Sequence, residues 1–195
     1  MRYSAWQLIR NALRGHTGWG PAWRDPEPQA DYDYIIVGGG GHGLATAYYL
    51  ASIYRQSRIA VLEKGWIGGG NVGRNTTIIR SNYLLPGNEP FYEFSLKLWE
   101  GLEQELNYTA MVSQRGILNL VHSDAQRDAA IRRGNGMLFH GADAEFLNIV
   151  QIQQRYPFVN LDQARFPVLG GLAQHRGGTV RHDAVAWGYA RACSD

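Results

Sequence analysis

Apolar residues collect in two short uninterrupted runs, Tyr34-Ile35-Ile36-Val37 and Ile59-Ala60-Val61-Leu62. Their length and β-branched content predict buried strands. Between them, residues from Leu44 to about Tyr54 are rich in Ala and Leu and predict a helix. The three segments form one strand, helix, strand crossover, which right-handedness places in a parallel sheet. Further along, Phe91, Phe94, Leu98 and Leu102 recur at helical spacing and predict an amphipathic helix from about Glu89 to Leu106. Ile117 to Val121 reads as a strand. Asp124 to Arg133 reads as a helix stopped by Gly134, and Asn148 to Arg155 as another ended by Pro157. Val168 to Ala173 reads as a strand, and Arg176 to Thr179 as a turn into a helix starting near Asp183. Ahead of the first strand, a helix over Ala5 to Leu13 precedes Gly18, Gly20, Pro21, Pro26 and Pro28, which make an irregular arm through residue 30. The expected fold is α/β, with the parallel strand, helix, strand unit opening a domain over 31–195. The last helix reaches Asp195 with no capping glycine and no following strand, so the domain reads as truncated at its C-terminus.

Composition narrows the class. In 195 residues, 45% hydrophobic and 18% charged content is ordinary for a packed domain. Nineteen Lys+Arg against 17 Asp+Glu give a net charge of +2, without the one-sided field used for nucleic acid or membrane surfaces. The single cysteine, Cys193, forms no internal disulfide or CxxC pair, so a reducing cytoplasm is the expected compartment. Arg2, Arg10 and Arg14 interrupt the N-terminal apolar residues before a signal sequence can form, and no run of about 18 apolar residues occurs. His16, His122 and His140 are not at metal-ligand spacing, and no metal is expected.

The chemistry begins at Gly38-Gly39-Gly40-Gly41-His42-Gly43, a GxGxxG pattern between a strand and a helix. Gly38 permits the tight turn, Gly40 lets a pyrophosphate approach the backbone, and Gly43 lets helix and strand pack closely. Gly41 and His42 open the helix, whose N-terminus offers N–H groups to phosphate. His42 is expected to sit beside a cofactor without an acid or base task. Glu63, 20 residues after Gly43, ends the second strand with Lys64 beside it. Its carboxylate can accept hydrogen bonds from an adenosine ribose and would repel a 2′-phosphate. The fingerprint alone fits NAD or FAD. From Gly65 to Gly73 there are five glycines in nine residues, Gly70 among them, and the segment through Arg80 carries Asn71, Arg74, Asn75, Thr76, Thr77 and Arg80, which suits a backbone lying along a long flavin. Trp66 and Trp187 could line such a flavin or belong to the ordinary core.

The strings GGGGHGLATAYYLA, VLEKGWIGGGN, RNTTIIRSNY, SQRGILNL and RHDAVAWGYAR resemble the glycine oxidase and D-amino acid oxidase family of FAD enzymes, and within it the beta subunits of heterotetrameric sarcosine oxidases. Those subunits are substantially longer, and the resemblance implies a Rossmann-like FAD-binding domain followed by the start of an α+β substrate-domain insertion. The resemblance implies noncovalent FAD that takes electrons from sarcosine, covalent FMN that passes them to O2 to give H2O2, and assembly with alpha, gamma and delta subunits. It places the FMN on the histidine of RHDAV, His182, with His175 as a competing candidate. Arg181 stands where some relatives carry lysine. An imidazole nitrogen is a suitable nucleophile toward the electron-poor flavin 8-methyl position when neutral, and Arg181 would favour neutrality. Without the resemblance, His182 and Asp183 would read as the start of the last helix.

Arg80 lies in RNTTIIR, which resembles the segment of related oxidases where an arginine holds the substrate carboxylate. A guanidinium suits that through two parallel hydrogen bonds; a surface or ion-paired arginine is the plain alternative. Two other functional readings stand beside sarcosine oxidation: another amine oxidase of the same family, acting on glycine, dimethylglycine or a D-amino acid, or an inactive fragment that only docks on an alpha subunit.

Overall fold

The computed structural model describes residues 4–17, 27–83, 87–162 and 165–194. Most of the irregular arm, including Gly18, Gly20, Pro21 and Pro26, lies outside the described residues, as does Asp195. The described chain forms two compact units.

The first unit draws on residues 1–76, 102–111 and 181–195. It opens with α1 (Ala5–Leu13), capped by Ser4, whose hydroxyl accepts from Gln7 N–H at 3.2 Å. The crossover follows: β1 (Tyr34–Val37), α2 (Gly41–Ser52) and β2 (Ile59–Leu62). β1 and β2 pair in parallel, Tyr34 with Ile59 through Val37 with Leu62. The unit closes with α6 (His182–Ser194), which packs along α2 and against a short 3₁₀ turn at Val72–Arg74. β1 departs from the buried strand expected. Ile35 is 59% and Val37 85% exposed, although α2 packs against the strand pair.

The second unit, within 77–101 and 112–180, is built on antiparallel pairs. β4 (Ile117–Val121) and β5 (Glu145–Leu147) flank β6 (Gly170–Gln174), and the short strands β3 (Ile78–Ile79) and β7 (Gly178–Thr179) pair separately. Apolar clusters form among Val121, Ala130, Met137, Ala142 and Leu172, and among Leu147, Ile152, Val168 and Ala173. α5 (Ile149–Arg155) starts on a reciprocal cap: the Asn148 side chain accepts from Gln151 N–H at 3.0 Å, and the Gln151 side chain accepts from Asn148 N–H at 2.9 Å. β3 and β5 are too short to leave an apolar run in the sequence.

Two helices correct the sequence reading. α4 (Asp124–Phe139) does not stop at Gly134 but runs 16 residues. Gly134 is buried on the face toward β6, where a Cβ would sit 3.0 Å from Leu172 Cδ1, so glycine serves close packing there rather than termination. α3 (Glu89–Leu106) has the expected span, and of the expected stripe Leu102 is buried, but its first turns bury a different face. Phe91 and Phe94 are exposed, whereas Glu93, Leu96, Leu102 and Leu106 are buried. An apolar stripe could not reveal this, because the buried face carries a glutamate neutralised by Arg176 from outside the helix. Among the described residues, no helix is long and apolar enough to cross a membrane.

Candidate dinucleotide and substrate sites

The glycine turn follows directly from the β1 and α2 geometry. Gly38 N–H donates to Leu62 O at 2.7 Å, continuing the parallel ladder, and the chain then reverses with Gly38 at φ +109°. That left-handed value favours glycine. A Cβ on Gly43 would be driven into the carbonyl oxygen of Gly38, so the helix can approach the strand end only without a side chain. Gly40 is the N-cap of α2 and supplies no side-chain cap, and the first helical bond is Leu44 N–H to Gly40 O at 3.0 Å. The preceding helical N–H groups are placed to meet an anion.

Glu63 leaves the end of β2 and folds back on the turn. Its carboxylate accepts from Gly39 N–H at 2.7 Å and Gly65 N–H at 2.8 Å. The Gly65 bond, then the Gly39 bond, hold its pKa below the ordinary carboxylate value. One bond to each oxygen fixes the ionised group and leaves a lone pair on each oxygen for a pair of ribose hydroxyls. The loop after it also closes on the turn. Gly68 N–H donates to Gly39 O at 2.9 Å, and Gly73 N–H to Gly68 O at 2.9 Å. Beside Gly40 the nearest atom to a built Cβ is Val72 Cγ2 at 3.8 Å, and beside Gly70 there is nothing within 4 Å. The backbone is therefore open to a ligand where the motif requires it. These features fit an adenine dinucleotide.

Lys64, Gly70, Asn71, Arg74, Asn75 and Thr76 stand exposed in the same unit, and Asn75 Nδ2 donates to Val72 O at 3.0 Å. His42 is exposed on the first turn of α2. Trp66 is 71% and Trp187 38% exposed, so neither is core. His182 is the first residue of α6, and four residues on, Ala186 lies against Gly68. The His182 Nδ1 is buried with no hydrogen-bond partner. Arg181 does not act on it as a free charge: its guanidinium is ion-paired with Asp183, whose pKa it pushes down to about 2. His175 belongs to the other unit, where its Nε2 lies 2.8 Å from Glu145 Oε2, itself paired with Arg155.

Arg80 also belongs to the second unit, half-buried just after β3. It has no carboxylate partner among the described residues, and its guanidinium lies 5.1 Å from the centre of the Tyr83 ring, which stacks on Tyr92 at 3.7 Å. Sequence reasoning missed two neighbours. The Arg133 guanidinium donates to Asn82 O and keeps a buried Nε without a partner. Burial, then the charge of Arg80, lowers its pKa. The Asn82 side chain is buried with both polar atoms unpartnered. Asn82 sits in the same string as Arg80 and could have been flagged; Arg133, fifty residues away in sequence, left no local signal.

A family model described as DAO, FAD dependent oxidoreductase, matches residues 33–195. The chain belongs to this family. It is 69% identical over 191 residues to sarcosine oxidase subunit beta of Rhizobium meliloti, a match covering 98% of this chain and 46% of the relative. It is 50% identical over 194 residues to sarcosine oxidase subunit beta of Rhodobacter capsulatus, covering 100% and 47%. The chain thus spans just under half the length of these curated relatives. Among solved structures it resembles L-proline dehydrogenase from P. horikoshii at TM-score 0.75, with 20% identity over 84% of this chain and 41% of that one. It also resembles glycine oxidase from Geobacillus kaustophilus at TM-score 0.73, with 22% identity over 83% and 44%. At such identities the structures establish the shared fold of this flavoprotein family, in keeping with the expected α/β dinucleotide architecture.

Proposed function

We propose that this chain is the FAD-binding and substrate-binding part of a sarcosine oxidase beta subunit, with residues 31–195 as the catalytic portion and 1–30 as an arm. The observation that carries the reading is the 69% identity to a sarcosine oxidase subunit beta across 98% of the chain. FAD would be held by Gly38, Gly40, Gly41, His42 and Gly43 at its pyrophosphate, by Glu63 and Lys64 at its adenosine end, and along Gly70, Asn71, Arg74, Asn75 and Thr76. FMN would be carried covalently on His182, whose unpartnered buried Nδ1 is a polar atom without a structural task. The bound flavins supply the redox chemistry, removing two electrons from the N-methyl amine and delivering them to O2 as H2O2.

The chain's own residues bind and orient. Arg80, with no competing carboxylate among the described residues, would take the substrate carboxylate through paired charged hydrogen bonds. Its stacking on Tyr83 fixes the guanidinium before substrate arrives. The second cation at Arg133 strengthens the positive field for an acidic substrate. The partners are a small amine acid, O2 and the alpha, gamma and delta subunits; the compartment is the cytoplasm, in which the lone Cys193 stays reduced.

Two measurements test the assignment in the full-length, assembled enzyme. Arg80→Lys keeps the charge and loses the second parallel hydrogen bond, so the KM for sarcosine rises roughly tenfold to a hundredfold with a smaller change in kcat. An unchanged KM would remove Arg80 from the carboxylate site. His182→Ala abolishes flavin colour that survives acid precipitation, while the releasable FAD remains; colour retained in that variant would move the attachment elsewhere, with His175→Ala as the next candidate.

A further inference from the structure

The helix α1 is the part of the chain that neither site uses. Trp6, Leu8, Ile9 and Leu13 are 71%, 57%, 51% and 83% exposed, and the helix buries none of its residues. The four share one half of the helix with Ala5 and Ala12, while Gln7, Arg10 and Asn11 occupy the other half. Ser4 caps it, so the helix is defined without a packed partner among the described residues. Sequence around it is equally one-sided. Residues 1–24 hold three of the six tryptophans and four arginines and no Asp or Glu. Trp and Arg are the side chains that dominate binding energy at the centres of protein interfaces.

The position of the segment says what kind of surface it meets. Residues 1–32 precede the match to the shared oxidase domain, yet the matches to sarcosine oxidase beta subunits cover 98% and 100% of the chain. The segment therefore accompanies the multi-subunit oxidases and lies outside the domain common to the wider family. We infer that α1 is a docking helix: its Trp6, Ile9 and Leu13 stripe seats in an apolar groove on another subunit of the same oxidase, and Arg10 and Arg14 meet carboxylates on the groove's rim. The inference rests on the reading of this chain as a beta subunit. Helix-in-groove recognition of this kind needs an amphipathic face with anchors at i, i+3 and i+7, the spacing of those three residues. A membrane surface would also take an apolar and basic helix. Trp-rich sequence tied to the named subunits, on a chain of net charge only +2, favours the protein partner.

The test uses the full-length subunit carrying this N-terminal sequence, co-expressed with its partner subunits and purified through a tag on the partner. Replacing Trp6, Ile9 and Leu13 together by Ser lowers the affinity for the partner roughly thirtyfold or more, while FAD content and melting temperature of the isolated beta subunit stay at wild-type values. Arg10→Glu with Arg14→Glu slows association severalfold at low salt. Wild-type retention by the triple variant overturns the docking helix; association unchanged in the arginine variant overturns the acidic rim. Sedimentation with phosphatidylcholine and phosphatidylserine vesicles, present in the wild type and lost in the triple variant, overturns the proposal in favour of a lipid surface. Turnover of sarcosine by the wild-type complex is scored separately. Its absence defeats the substrate reading while leaving the subunit contact measured on its own terms.

Discussion

Replacing Gly43 by Ala is expected to leave a protein that folds poorly and purifies without FAD. The added methyl points at the Gly38 carbonyl oxygen, a backbone atom that cannot move without breaking the Gly38 N–H to Leu62 O bond that joins turn to sheet. Either α2 withdraws from the strand end or the turn opens. In both cases the N–H groups at the start of α2 leave the place where they would meet pyrophosphate, and Glu63 loses its alignment through Gly39. Overpacking of this kind costs about 1–3 kcal/mol in stability. Displacing several aligned donors weakens FAD binding by roughly a hundredfold or more, about 3 kcal/mol. Gly136→Ala provides the contrast. It lies exposed inside α4, a Cβ there meets nothing within 4 Å, and the variant gains about 0.5–1 kcal/mol with FAD binding untouched. Equal FAD content in Gly43→Ala and wild type, by absorbance after gel filtration, would show that the turn does not hold the cofactor.

The first unit was legible in the sequence because its information is local. β1, α2, β2 and the glycine turn all lie within residues 34–62, and each was marked by a run, a spacing or a motif. α1, β4 and the span of α3 were marked in the same way. What failed to show were features set by distant partners. Gly134 looked like a stop because its value lies in Leu172, almost forty residues on. The inner face of the first turns of α3 differs from the apolar stripe because Glu93 is buried against Arg176. Arg181 was expected to act on His182, but the carboxylate two residues away claims it. Charged and close-packed positions take their roles from the other half of a contact, and periodicity carries no record of that half.

The same logic makes Arg176 the residue of the second unit whose loss is expected to matter most. Its Nη1 donates to both Glu93 oxygens at 3.2 and 2.7 Å, while Nε and Nη2 bind the Glu100 carboxylate at 2.8 and 3.1 Å. The Glu93 side chain is 11% exposed. Among the described residues, Arg176→Met leaves that carboxylate buried with only the Ser81 hydroxyl, at 2.8 Å, as a donor, and the expected destabilisation is about 3 kcal/mol. Arg176→Lys recovers only part of it, since an ammonium cannot serve both glutamates with the planar fork. Adding Glu93→Gln to Arg176→Met restores stability, because the uncompensated charge is gone.

Acid titration gives the same network a second signature. Hydrogen bonding to Arg176 lowers the folded pKa of Glu100 below its unfolded value. Its contribution is therefore fully present above the unfolded carboxyl pKa of about 4.3 and is lost as pH falls through the depressed folded value. Arg176→Met should flatten that part of the stability curve. Function follows through a short path: Ser81, hydrogen-bonded to Glu93, is also held by Gln174, whose Oε1 accepts from Ser81 N–H at 3.1 Å and whose Nε2 donates to Ser81 Oγ at 2.6 Å. Ser81 is the residue next to Arg80, so loosening Glu93 would loosen the backbone that carries the guanidinium proposed to bind the substrate carboxylate. In the full-length enzyme, the variant should raise the KM for sarcosine severalfold below its melting transition. A destabilised variant with an unchanged KM would confine the network to structure and detach it from the Arg80 site.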